Sequence, residues 1–175
     1  VPSRITKTLD YMAECDVVFF LSVCSRLLDD SDQQLLAAQL PSKGVKSLVL
    51  VAAQLDSAIL DDGFDRSSLS DCEAHVHQRL QAHARRNLEQ LAAQREKCGL
   101  TDVAALLRGI GAPLLASTYA QALATLPPER WSSGQRHVHQ QFVELAEDAW
   151  NGTLPSAADW QRIGGFAALE AALAQ

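Results

Sequence analysis

Two short segments built only of apolar residues, Val17–Leu21 and Leu48–Ala53, constrain this chain more than any other feature. A strand with one wet face would alternate apolar and polar side chains. These two do not alternate, so both faces of each must be covered, as in a parallel strand flanked by helices on either side. The stretch between them reads as a helix. Asp30, Ser31 and Asp32 are good cap residues, Leu35, Leu36 and Leu40 supply an apolar side, and Pro41 with Gly44 ends it. Strand, helix and strand in that order predict a right-handed βαβ unit. Neither apolar run approaches the ~20 residues needed to cross a bilayer.

The rest of the chain fits the same class. Val1–Cys15 reads as a helix capped by Ser3, with Ile5, Leu9 and Met12 on one side. The polar stretch after Asp56, from Asp61 to Ser70, reads as a loop. A long helix is expected over Asp71–Cys98, because Cys72, Val76, Leu80, Ala84, Leu88 and Leu91 form one stripe and Gly99 stops it. Thr101–Leu107 is a short helix, and Gly109–Gly111 a break. Ala112–Ala116 is a third strand, expected to be short and near a sheet edge because Pro113 cannot donate to a ladder. Helices follow at Tyr119–Leu126, Gly134–Trp150 and Ala157–Ala174, the last broken by Gly164-Gly165. The expected fold is α/β, a partial parallel sheet of about three strands with a helical C-terminal extension. The expected division is 1–126 for the α/β part and 127–175 for the extension. The first strand would leave an open apolar edge. That edge, and a start at Val-Pro-Ser without Met, lead us to expect a longer parent protein with further strands upstream.

Charge and cysteine content remove several function classes. Fifteen Lys and Arg against 21 Asp and Glu give a net charge of −6, so a nucleic-acid partner is not expected. The four cysteines, Cys15, Cys24, Cys72 and Cys98, lie far apart and read as reduced, mostly buried thiols of a cytoplasmic protein. His75 and His77, like His137 and His139, point about 200° apart on a helix and cannot easily share a metal. Ser22, Cys24 and Ser25 lie at a strand end but have no base nearby in sequence. Arg79, Arg85, Arg86, Arg95 and Lys97, with His83, make the long helix basic and read as a solvated face rather than a contact to anionic lipid or another subunit, and Asp29–Asp32 read as the cap and first turn of another helix. Trp131, Trp150 and Trp160 read as anchors for the terminal helices.

In open parallel sheets, ligands sit beyond the carboxyl ends of the strands. Three such ends occur, after Leu21, Ala53 and Ala116. The second continues Gln54-Leu55-Asp56, and the third Ser117-Thr118. A carboxylate past a buried strand can accept two hydrogen bonds, such as those from guanine N1–H and its 2-amino group. A small-residue turn can offer backbone N–H groups to a carbonyl such as guanine O6. A plain cap after a strand would place an Asp at position 56 as well, so spacing leaves both roles open.

With those residues in view, the chain resembles the second half of the G domain of the bacterial dynamin-like GTPases. Ser3–Thr8 and Cys15–Ser22 are similar to the switch II helix and the following strand of that family. Leu40–Val45 and Leu48–Asp56 are similar to its next helix–strand pair, ending in the guanine-recognition motif Asn/Thr-Lys-x-Asp. Asp56 matches the specificity Asp, Gln54 stands in place of the Lys, and Ala53 in place of Asn or Thr. Ala116-Ser117-Thr118 is similar to the last guanine-contacting loop, and Trp160 to Leu169 to the end of the G domain.

The resemblance implies a P-loop GTPase-like three-layer fold and a GTP-hydrolysing parent that couples nucleotide binding to self-assembly or membrane remodelling. Gln54, Asp56, Ser117 and Thr118 would contact the guanine nucleotide. The 175 residues contain no Gly-x-x-x-x-Gly-Lys-Ser/Thr and no Asp-x-x-Gly. GTP phosphates and Mg2+ would therefore be held by residues outside this segment, which alone would be inactive. A homo-oligomer, formed by the parent, and peripheral membrane contact follow from the same resemblance. The alternatives are a degenerate G-domain half that serves as an interaction module without nucleotide, and an α/β enzyme of another kind using the same strand ends.

Overall fold

The computed structural model describes residues 15, 17–39 and 47–174. The expected helix over Val1–Cys15 and the expected stop at Pro41 and Gly44 lie outside them. The fold is α/β, with three parallel strands in the order β1-β2-β3: β1 Val17–Val23, β2 Ser47–Ala53 and β3 Leu114–Ala116. Eight α-helices accompany them among the described residues. These are α1 Asp30–Gln39, α2 Leu55–Asp62, α3 Leu69–Lys97, α4 Thr101–Arg108, α5 Thr118–Thr125, α6 Ser133–Ala149, α7 Ala157–Gly164 and α8 Phe166–Leu173.

Strand β2 is central and nearly continuously buried, as its unbroken apolar run requires. Strand β3 has three residues and lies at an edge, as Pro113 dictates. Strand β1 departs from expectation. Val17–Phe20 are only half-buried, and Leu21 is 65% exposed. Among the described residues it has one neighbouring strand and stands at the edge of the sheet.

Two compact units share these elements. The first contains the described residues of 15–22, 26–51 and 81–113. Its core is Leu27, Leu28, Leu36, Leu50, Leu88 and Leu107, among others. The turn after β1 is tightly held. Leu28 has φ of 54°, its N–H donates to Asp32 Oδ2 at 3.1 Å, and Gln33 Nε2 donates to its carbonyl at 2.9 Å. Asp29 Oδ1 accepts from the Asp32 N–H at 3.0 Å, so this acidic cluster caps α1 as its sequence predicts.

The second unit contains residues 23–25, 52–80 and 114–175. Phe142 stacks edge-on against Trp160, 4.8 Å between centroids, with Trp150 at 6.2 Å. Trp150 Nε1 donates to the Gly63 carbonyl at 3.2 Å, while Trp131 is only half-buried. Helix α2 was not anticipated from the sequence, and it takes Asp61 and Asp62 out of the expected loop. Leu55, Ala58 and Ile59 fall at i, i+3 and i+4 and are buried, which is one helical face. The loop is limited to a 3-10 turn at Gly63–Asp65 and the residues leading to Leu69.

Helix α3 behaves as its stripe predicts. Cys72, Val76, Leu80, Ala84, Leu88 and Leu91 are all buried. At its end Gly99 has φ of +78°, and the Leu100 N–H donates back to the Arg95 carbonyl at 2.9 Å.

Candidate functional site

Strand β2 ends at Ala53, and the chain turns at once into α2. The turn is made by Gln54, a non-glycine residue in the left-handed region (φ 62°, ψ 45°). For an L-residue that conformation costs about 1–2 kcal/mol. The next turn carries Asp56, only 4% exposed, in the first turn of α2 where the helix dipole favours a negative charge. No hydrogen bond among the described residues ends on its carboxylate.

Strand β3 ends the same way. Ser117 is 1% exposed and caps α5, its Oγ accepting from the Ala120 N–H at 3.0 Å. Its own N–H donates to the Gly164 carbonyl at 3.1 Å. Thr118 and Tyr119 then open α5 on the surface.

The two strand ends meet in one cleft of about 230 Å3, lined by Gln54, Asp56, Ser57, Thr118 and Tyr119, all within the second unit. Of the residues read from sequence, Gln54, Asp56 and Thr118 line it. Ser117 stands next to it with its hydroxyl and N–H both engaged in holding the backbone. Ser57 and Tyr119 are the lining residues that sequence reasoning missed. Their only sequence signal is adjacency, since each directly follows a residue at a strand-end turn.

The cleft combines an acceptor with donors. Asp56 supplies carboxylate oxygens. The first turns of α2 and α5 begin at this cleft, where helix starts leave N–H groups without intrahelical partners, apart from the Ala120 N–H that Ser117 caps. Such a set suits a small flat heterocycle that both donates and accepts in its plane. The volume lies below the ~300–1,000 Å3 of typical small-molecule sites.

The other residues singled out by sequence have internal duties. Ser22 Oγ donates to Asp32 Oδ2. Burial, then the nearby Asp56 charge, push the Cys24 thiol up to about 12, so it stays protonated and a poor nucleophile. Cys72 donates to the Ile59 carbonyl at 3.3 Å, and burial pushes its thiol up to about 11. His75 Nε2 and Arg79 both face Asp62, at 3.9 and 3.0 Å. Among the described residues there is no group of three or more His, Cys, Asp or Glu placed to hold a metal ion. None of the described helices is long and apolar enough to cross a membrane.

No protein-family model, no curated protein and no solved structure matches this chain.

Proposed function

We propose that the chain is the base-reading portion of a guanine-nucleotide-binding protein of the dynamin-like GTPase kind. Asp56 accepts from guanine N1–H and the 2-amino group, backbone N–H groups at the start of α5 meet O6, and Gln54 and Thr118 flank the ring. Ser117 acts on this loop from behind, as the cap that fixes where Thr118 stands. Hydrolysis belongs to phosphate-loop and switch residues, with Mg2+, that these 175 residues do not include. Self-assembly and membrane contact belong to the same proposal.

The observation that carries it is Asp56, a carboxylate 4% exposed, lining a cleft and lacking any hydrogen bond among the described residues. A carboxylate that lines a cleft with no partner among the described residues has both oxygens available to a ligand that donates two hydrogen bonds. A second reading, an interaction module without nucleotide, draws on Gln54, which is exposed and carries no charge toward a ligand.

The test uses the protein at its full natural length and fluorescent GTP, ATP and xanthosine triphosphate analogues. The wild type is expected to prefer GTP to ATP. Asp56→Asn is expected to lose about 10–100-fold in GTP affinity, one charge-assisted pair at ~1.5–3 kcal/mol, and to gain preference for the xanthine nucleotide. Equal GTP and ATP binding, or an unchanged preference in Asp56→Asn, would leave the module reading in its place.

A further inference from the structure

In-plane hydrogen bonds hold a flat ring by its edge and choose among rings, but they leave its two faces to water. A surface on which one face can lie adds affinity for any such ring, whatever its edge. Four of the five cleft residues, Gln54, Asp56, Ser57 and Thr118, present short polar side chains. Tyr119 is the exception. Its ring is 41% exposed although it stands at the start of a helix with a largely buried inner face. Its hydroxyl forms no hydrogen bond among the described residues. A large aromatic side chain with this much of its surface open, lining a polar cleft, is available to a ligand.

The ring's place is nevertheless defined. Helix α6 carries Gly134 opposite it. A Cβ at that position would lie 2.8 Å from Tyr119 Oη and 3.1 Å from Cζ. The missing side chain of Gly134 is the space that the phenol fills. Any larger residue there would force the ring aside.

From this we propose that Tyr119 is the stacking platform of the Asp56 cleft, the aromatic face on which a purine ring lies while Asp56 reads its edge. The inference rests on the guanine-nucleotide reading above and adds to it the residue that supplies affinity, as distinct from base choice. Tyr119 sets how tightly any purine binds. Asp56 sets which purine.

The two roles separate in one set of titrations on the full-length protein with fluorescent GTP and ATP analogues. Tyr119→Ala is expected to weaken both by about 5- to 150-fold, the range for removal of a base–aromatic stack, and to leave the GTP-to-ATP ratio near that of the wild type. Tyr119→Phe keeps the ring and is expected to bind within about twofold of the wild type. Gly134→Ala, which leaves Tyr119 chemically intact, is expected to weaken binding, and Tyr119→Phe in that background to restore part of the loss by removing Oη. Proton NMR supplies the readout that a structural role would not move. The H8 resonance of guanosine monophosphate should shift upfield on binding to the wild type and to Tyr119→Phe, and not to Tyr119→Ala. Melting temperatures of the wild type and Tyr119→Phe should agree, and Tyr119→Ala, which loses the packing over Gly134, should melt somewhat lower, so its binding is measured well below that temperature.

Binding of Tyr119→Ala within twofold of the wild type, while Asp56→Asn still changes base preference, would overturn the stacking role and leave the guanine reading standing. Weakened binding without an H8 difference would overturn it too, by assigning Tyr119 to structure. If neither variant alters nucleotide binding, both proposals fall together.

Discussion

At the residue scale, the buried thiols show how position decides chemistry. Cys24 lies at a strand end near Ser22 and Ser25, with no base nearby in sequence to activate it. In the fold it is 4% exposed, and burial with the Asp56 charge raises its thiol from the usual 9.0 to about 12. Cys72 is raised to about 11, again chiefly by burial. Both folded-state values lie above the unfolded ones, which fixes the sign of the pH dependence. Below about pH 9 the thiols are protonated in both states and their contribution to stability is complete. Above it the unfolded chain ionises first, so stability falls until pH passes the folded values near 11 and 12. Urea midpoints should therefore decline between about pH 8 and pH 10.5, and Cys24→Ala should decline less steeply than the wild type. Parallel slopes for the two proteins would show that Cys24 ionises alike in both states.

At the element scale, the cleft depends on how the end of α7 meets β3. Gly165 has φ of +73°, and a Cβ there would stand 2.0 Å from the Leu115 carbonyl oxygen and 3.1 Å from Ala116 Cα. Backbone lies directly on backbone, and the Gly164 carbonyl accepts from Ser117 N–H as part of that contact. Gly165→Ala combines a disfavoured left-handed conformation with overpacking and should destabilise the fold by about 2–4 kcal/mol in urea unfolding. Gly111→Ala, where nothing lies within 4 Å, should stay within ~0.5 kcal/mol. Similar values for the two would mean that the junction relaxes freely. The sequence announces a break at Gly164-Gly165 but not what the break packs against. The same limit explains α2. Its apolar face consists of Leu55, Ala58 and Ile59, and the residues after them, Asp61-Asp62-Gly63, look like loop. What secures that end is distant in sequence: Arg79 pairs with Asp62 at 3.0 Å, and Trp150, 87 residues on, donates to the Gly63 carbonyl. The strands and α3 were legible because their patterns are local and repeated. Asp56 was legible because a strand end is a place in sequence. Tyr119 was not, because its relation to Asp56 exists only once β2 and β3 are neighbours.

At the scale of the whole molecule, reading a base and handling phosphates are separable tasks, and the proposed function gives this chain only the first. Under the proposed function its cleft has room for a ring and groups for that ring's edge. A triphosphate needs something else: a cradle of backbone N–H groups, a Lys and a metal. None of the 175 residues forms a Gly-x-x-x-x-Gly-Lys-Ser/Thr motif, and the net charge of −6 gives a polyanion no general attraction. Phosphates should then add nothing to affinity in this chain by itself. Guanosine and GTP are expected to bind it with similar, weak affinity in calorimetric or NMR titration, GTP no more than about twofold tighter, and adenosine more weakly than either. Phosphate release from GTP in the presence of Mg2+ should match that of buffer. Addition of salt separates the cases further, because an affinity carried by phosphates falls as charges are screened while one carried by the ring does not. GTP binding about tenfold tighter than guanosine, with strong salt dependence, would reveal a phosphate site within these residues and would move the reacting end of the nucleotide into this chain.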